Sequence, residues 1–188
     1  MTSLILVRHG ETDWNVEGRY QGQADPPLNE HGREQARKTA AEIAGLRPDV
    51  IYSSPLRRAW ETAQIIAEAA GIDRVIPEPR LKEISQGEWE GMLVTDIEKE
   101  FPEEFRLWRE RPWSLKLPGR ESLEELEKRV MDAVSEIVAK HRGQKVVIVS
   151  HKQPIAIIKI HFQGIPKERI WDILPPNGGW EIIQVAER

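Results

Sequence analysis

The sequence has no cysteine among its 188 residues. That excludes disulfides, thiolate nucleophiles and cysteine-ligated zinc or iron sites together, and it agrees with a cytoplasmic setting. It also lacks an excess of positive charge. With a formal net charge of -4, no broad basic surface is expected and nucleic acid is not an expected partner. No apolar run reaches membrane-spanning length. The opening Met1–Arg8 has neither the basic start nor the long apolar stretch of a signal peptide. Internal repeats and low-complexity tracts are absent. What remains is 39% hydrophobic and 31% charged, the balance of a soluble globular chain. The length suits one domain over residues 1–188 with a small insertion.

The apolar pattern has a clear order. Leu4–Val7 is a short buried-strand pattern that runs into Arg8-His9-Gly10. A helix is expected over Asn29–Ala44, with Ala36, Ala40 and Ile43 on one face, then a strand over Asp49–Ser53. Pro55 suits the first turn of a helix running to about Ala70. Pro77–Gly91 reads as loop, and 92–120 as a cap-like insertion of short helical pieces rich in Glu, Arg and Trp. Ser122 and Glu125 form a capping-box pattern ahead of the stripe Leu123, Leu126, Val130, Val134 and Ile137. Lys145–Ser150 is a third strand, Pro154–Phe162 a helix, and Trp180–Val185 a last strand. Alternating strands and helices predict an α/β fold, a three-layer α/β/α sandwich around a mostly parallel sheet. Ligands in such folds bind beyond the carboxyl ends of the strands. Arg8-His9, Arg57-Arg58 and His151 each follow a predicted strand end, so three strand ends can converge on one pocket.

Those residue types suit phosphate chemistry. A phosphate monoester is a compact dianion that arginine's planar fork holds well. A neutral imidazole can attack phosphorus and give a phosphohistidine, and a carboxylic acid can protonate the leaving oxygen. The sequence offers His9 as nucleophile, with Arg8, Arg58 and His151 as an electropositive cage. Taken singly, each of these has an ordinary structural reading. His31, His141 and His161 stand without such company and read as structural.

Five blocks carry a family resemblance. They are Leu6–Asn15, Arg19–Leu28, Ser53–Ala59 with Thr62-Ala63, Leu81–Ile84 with Gly87, Trp89, Glu90 and Gly91, and Val149–His151. In this order and at these spacings the chain resembles the histidine phosphatase superfamily, in its phosphoglycerate mutase-like branch. The resemblance implies that His9 takes the phosphoryl group and that Arg8, Arg58 and His151 hold its oxygens. It implies that Asn15 donates to the phosphate and that Gln21 and Gly22 line the substrate side. Glu83 is implied as general acid and then base; Glu88 and Glu90 are rivals that the family pattern sets aside. No metal and no cofactor are implied.

The chain also departs from the pattern. Lys152-Gln153-Pro154 follows His151 where many relatives have glycine, so Lys152 either binds an acidic substrate group or points to solvent. Arg120 stands where a second glycine is common and has the same two readings. Trp60, Trp89, Trp108 and Trp113 form an aromatic wall for a ligand or pack the insertion on the sheet. Gly91–Val94 and Phe101–Trp108 are similar to relatives of the metal-independent phosphoserine phosphatase type. The implied activity is a metal-independent phosphomonoesterase acting through a phosphohistidine on a small phosphorylated metabolite, such as phosphoserine or α-ribazole phosphate. The alternatives are a phosphoglycerate mutase and an inactive binding protein. A homodimer is left open.

Overall fold

The alternation of apolar side chains along β1 (Thr2–Arg8) decides the architecture. Leu4 and Leu6 enter one apolar cluster, Ile5 and Val7 another, and all four are buried. A strand buried on both faces must be covered on both faces. A computed structural model, which describes residues 1–186, shows how this is done.

Five strands form one sheet in the order β3-β2-β4-β1-β5. These are β1, β2 (Val50–Ser53), β3 (Val75–Pro77), β4 (Lys145–Ser150) and β5 (Trp180–Val185). The first four run parallel, and β5 lies antiparallel on the β1 edge. One face carries α2 (Glu30–Ala44) and α3 (Arg57–Ala70), whose Ala40, Ile43, Ala59, Ala63 and Ile66 meet Ile5, Val7, Ile51, Val147 and Val149. The other carries α6 (Leu123–Lys140) and α7 (Lys152–Gln163), whose Leu126, Val130, Val134, Ile155 and Ile158 meet Leu4, Leu6, Val146 and Ile148. This is the expected three-layer fold.

Local chemistry sets the ends of these helices. Asn29 caps α2 by accepting from Gly32 N at 2.8 Å. Ser122 and Glu125 form the reciprocal capping box of α6, at 3.2 and 2.8 Å. Between the acid-bearing loop and α6, α4 (Val94–Glu100) and α5 (Pro102–Glu110) press Ile97, Phe105 and Trp108 into the cluster that contains Trp89 and Leu81.

Several bounds differ from the sequence reading. The α3 helix starts at Arg57, not Pro55, because Leu56 is its extended first cap residue. The α7 helix starts at Lys152, so Pro154 falls within the first turn, where it has no helical donor to lose. The segment read as loop over Pro77–Gly91 holds two 3₁₀ turns, Pro79–Leu81 and Gly87–Trp89. The short helix α1 (Asp13–Glu17), the strand β3 and the 3₁₀ segment Lys167–Ile173 have no counterpart in the pattern. Each is too short to show a period.

Two glycines let the loop after β1 lie against the start of α2. A methyl group on Gly10 would collide with the Gly32 carbonyl, and one on Gly32 with the backbone of Glu11. Helix propensity alone favours Gly32→Ala by up to about 1 kcal/mol. The packing predicts the opposite sign: the variant melts at a lower temperature in scanning calorimetry. A raised melting temperature would contradict this close approach.

Candidate active site

The register of β1 against β4 places Arg8 opposite Ser150. The next residues, His9 and His151, therefore emerge side by side, their ring centroids 5.1 Å apart. The His9 N–H donates to Ser150 O at 3.1 Å and ties the two strand ends together. On the far side of β4, β2 ends at Ser53, and Arg58 follows in the first turn of α3. The three strand ends converge as the sequence suggested.

A narrow cavity of about 70 Å³ opens there. One water needs about 10–15 Å³ by this measure, so the space suits a phosphate with a short chain. Arg8, His9, Asn15, Gln21, Gly22, Arg58, Glu83 and Lys152 all line it. His151 does not reach the wall; it is fully buried beside His9. A roomier, open concavity of about 500 Å³ lies between α6, α7 and β5 near Val138 and Phe162. It brings none of these groups together.

The hydrogen bonds orient each group. His9 Nδ1–H donates to Gly10 O at 2.6 Å, which leaves Nε2 with its lone pair. Burial, then Arg58 and Arg8, hold the His9 pKa well below its ordinary value, so the ring is neutral. His151 Nε2 meets Ser54 Oγ at 2.8 Å, while its buried Nδ1 has no partner. Arg58 donates to Gly22 O at 2.7 Å and Ala24 O at 2.8 Å, and Arg8 donates to Pro175 O at 2.8 Å. In both arginines the buried Nε–H finds no acceptor. An unpaired buried donor costs about 1–3 kcal/mol; two such arginine donors beside one imidazole make an arrangement suited to an anion. The first turns of α3 and α7 add partial positive charge at the same sheet end.

Asn15 Oδ1 is occupied by Thr12 N at 3.0 Å and Asn177 Nδ2 at 3.2 Å, so its amide presents N–H groups. Gln21 Oε1 is likewise held by Thr12 Oγ1 at 2.7 Å. Gly22 has φ 50°, and a side chain there would run into the Glu90 carboxylate. Glu90 Oε1 accepts from Gln23 N at 2.9 Å and Gln86 N at 3.0 Å, which makes it a strut between two loops. Glu88 is exposed. Glu83 is the carboxyl of the three that lines the cavity, and its Oε1 accepts from Ile84 N at 2.8 Å. Burial raises its pKa against the opposing pull of that bond and of Lys152, Arg58 and Arg8.

The remaining expectations separate. Lys152 is on the cavity wall and makes no ion pair among the described residues; burial and Arg8 lower its pKa. The Arg120 guanidinium lies 4.2 Å from both the Trp89 and Trp108 rings, and burial pulls its pKa down to about 10. Trp108 lines the cavity, whereas Trp60, Trp89 and Trp113 pack between elements. Sequence reasoning missed Arg19, Tyr20, Gln86, Gln153 and Trp171, which complete the wall. Gln86 and Gln153 stand three and two residues from Glu83 and His151, the one signal available for them. Among the described residues no group of three or more His, Asp or Glu is placed to hold a metal ion, and no helix is long and apolar enough to cross a membrane.

Comparison with known proteins agrees with this geometry. The family profile described as "Histidine phosphatase superfamily (branch 1)" matches residues 4–188. Phosphoserine phosphatase 1 of Hydrogenobacter thermophilus is 42% identical over 188 residues, which span 100% of this chain and 89% of that protein. The solved structure of Bacillus stearothermophilus YhfR superposes with a TM-score of 0.93 at 33% identity, over 99% of this chain and 92% of that one. A phosphoserine phosphatase from Entamoeba histolytica, solved with phosphoserine, superposes at 0.83 with 31% identity, over 97% and 90% of the two chains.

The electrostatics make a prediction. A histidine whose pKa is depressed stays neutral as pH falls through the ordinary value near 6.5. A ¹⁵N NMR titration is expected to show His9 in its Nδ1–H tautomer, charging only at lower pH. A midpoint at or above the ordinary value would contradict the geometry.

Proposed function

The chain belongs to the histidine phosphatase superfamily (branch 1) and is a phosphomonoester hydrolase acting on small phosphorylated metabolites; from that premise we propose that His9 carries the phosphoryl group and Glu83 moves the proton. One observation carries the reading: a neutral imidazole with a free Nε2 stands among unpaired donors, with a buried carboxyl in the same cavity. We read 92–120 as a cap whose Trp108 closes one wall.

The two half-reactions balance on these groups. The His9 Nε2 lone pair attacks phosphorus, and the bond from phosphorus to the leaving oxygen breaks. Glu83 gives its proton to that oxygen; its raised pKa favours the protonated form the step needs. A water then attacks the phosphohistidine and loses a proton to the Glu83 carboxylate. The phosphorus–nitrogen bond breaks, releasing phosphate and neutral His9. Arg8 and Arg58 hold the equatorial oxygens, with Asn15 as a further donor, and His151, buried against the His9 ring, backs the pocket from behind. Gln21 and Gly22 shape the leaving-group side. No step calls for a metal.

Charge narrows the substrate. Arg8 and Arg58 match a phosphate dianion, and Lys152 stands on the same wall with Glu83 as the nearby opposite charge and no ion pair among the described residues. We assign it a second anionic group, the carboxylate of a compact phosphorylated acid such as phosphoserine.

Wild type is expected to release p-nitrophenol from p-nitrophenyl phosphate in EDTA, and His9→Ala to lose roughly a thousandfold or more. No release by wild type favours the inactive reading, and full activity in the variant removes the phosphohistidine. With 3-phosphoglycerate and a bisphosphate primer, free phosphate rather than 2-phosphoglycerate is the expected product. Lys152→Gln is expected to raise KM for phosphoserine about tenfold, the weight of a charge-assisted hydrogen bond, with little change for phosphoethanolamine, which lacks the carboxylate. Equal change for both would return Lys152 to a general electrostatic role.

A further inference from the structure

Glu83 stands in irregular backbone between two 3₁₀ turns, and its carboxyl has one bond, to the adjacent Ile84 N–H. Fully buried Leu81 and Ile84 stand on either side of it, Ser150 Oγ donates to Leu81 O at 2.7 Å, and Gln23 Nε2 donates to Glu83 O at 3.3 Å. The largest set of bonds to this backbone comes from α6 and from Glu121, just ahead of its cap residue. Arg129 Nη1 donates to Arg80 O and Lys82 O, both at 2.7 Å, and Nη2 donates to Glu83 O at 2.9 Å. The other edge of the same guanidinium forks onto Glu121, with Nε at 2.6 Å and Nη2 at 2.9 Å. Glu121 in turn grips Ser85 twice: Oε2 accepts from Ser85 N at 3.0 Å, and its own N–H donates to Ser85 O at 3.1 Å.

The backbone is therefore clamped on both sides of Glu83. The clamp is anchored on a helix whose Leu126 and Val130 are fully buried and whose capping box begins at Ser122, next to Glu121. Arginine suits the task because its donors are fixed in one plane; lysine's single ammonium cannot reach three carbonyls and a carboxylate together. Arg129 is not part of the cavity wall, so it acts through Glu83 and not on the substrate.

We propose that Arg129, held by Glu121, is a positioning residue that fixes the backbone of Glu83 so that its carboxyl meets the leaving oxygen. The proposal rests on Glu83 as the general acid. Displacement of the loop would cost proton delivery, while His9 and its phosphate donors stand on other elements.

The dependence on the leaving group isolates this effect. p-Nitrophenolate departs without a proton, whereas a serine alkoxide needs one. For Arg129→Lys, kcat/KM, which ends at departure of the leaving group, is expected to fall by more than about tenfold on an alkyl phosphate and by less than about threefold on p-nitrophenyl phosphate, as for the loss of general-acid catalysis. The alkyl phosphate is taken from a panel of phosphoserine, 3-phosphoglycerate and β-glycerophosphate. Glu121→Gln, which keeps the shape, is expected to act in the same direction, and it carries the test if Arg129→Lys fails to fold by circular dichroism. Equal losses on both substrates, or no loss on either, would overturn the proposal. Glu83→Gln separates the two claims. If it discriminates between leaving groups and the clamp variants do not, the clamp fails and the general acid stands. If Glu83→Gln does not discriminate, the reading of Glu83 itself fails.

Discussion

Parallel pairing of β1 with β4, in the register that sets Arg8 opposite Ser150, is the constraint on which the rest depends. A shift of one residue along either strand would turn every buried side chain to the other face. It would also part His9 from His151, whose rings now lie 5.1 Å apart. The apolar run Leu4, Ile5, Leu6 and Val7 fills both layers at once, and the His9 N–H bond to Ser150 O at 3.1 Å ties the strand ends in that register. Stability and chemistry are thus decided by the same pairing, and the close pass of Gly10 over Gly32 completes it.

Burial then does the electrostatic work. It keeps His9 neutral and raises the carboxyl of Glu83, two opposite consequences of removing charge from water. Around them, Arg8 and Arg58 keep buried Nε–H donors without acceptors. Such a site is preorganised: its donors are oriented before the anion arrives, so little reorganisation is left to the reaction. The folded chain tolerates these unpaired groups because the sheet and its two helical layers hold them in place.

Legibility in the sequence followed the range of the interactions. The long elements showed their period, and the family blocks pointed to His9, Arg8, Arg58, Glu83 and His151. Boundaries set by one backbone angle did not show: Leu56 before α3 moves the helix start from Pro55 to Arg57. Arg129 reads in sequence as one more cation on an amphipathic helix, and only the tertiary fold brings it onto the carbonyls of Arg80, Lys82 and Glu83. Trp171 is of the same kind. The tryptophans divided because packing, not composition, decides which ring reaches the cavity; Trp108 does, and Trp89 is held behind it against Arg120.

The central claim is a covalent phosphoryl group on His9 between two displacements. Rapid mixing with an alkyl phosphate, quenching in alkali within the first turnover and mass spectrometry of the digested protein test it most directly. The account predicts a phosphoryl group on the peptide carrying His9, stable in alkali and lost in acid, that forms and decays at the rate of turnover. Phosphate release from a protein that never carries the group, or carries it on another residue, would contradict the account.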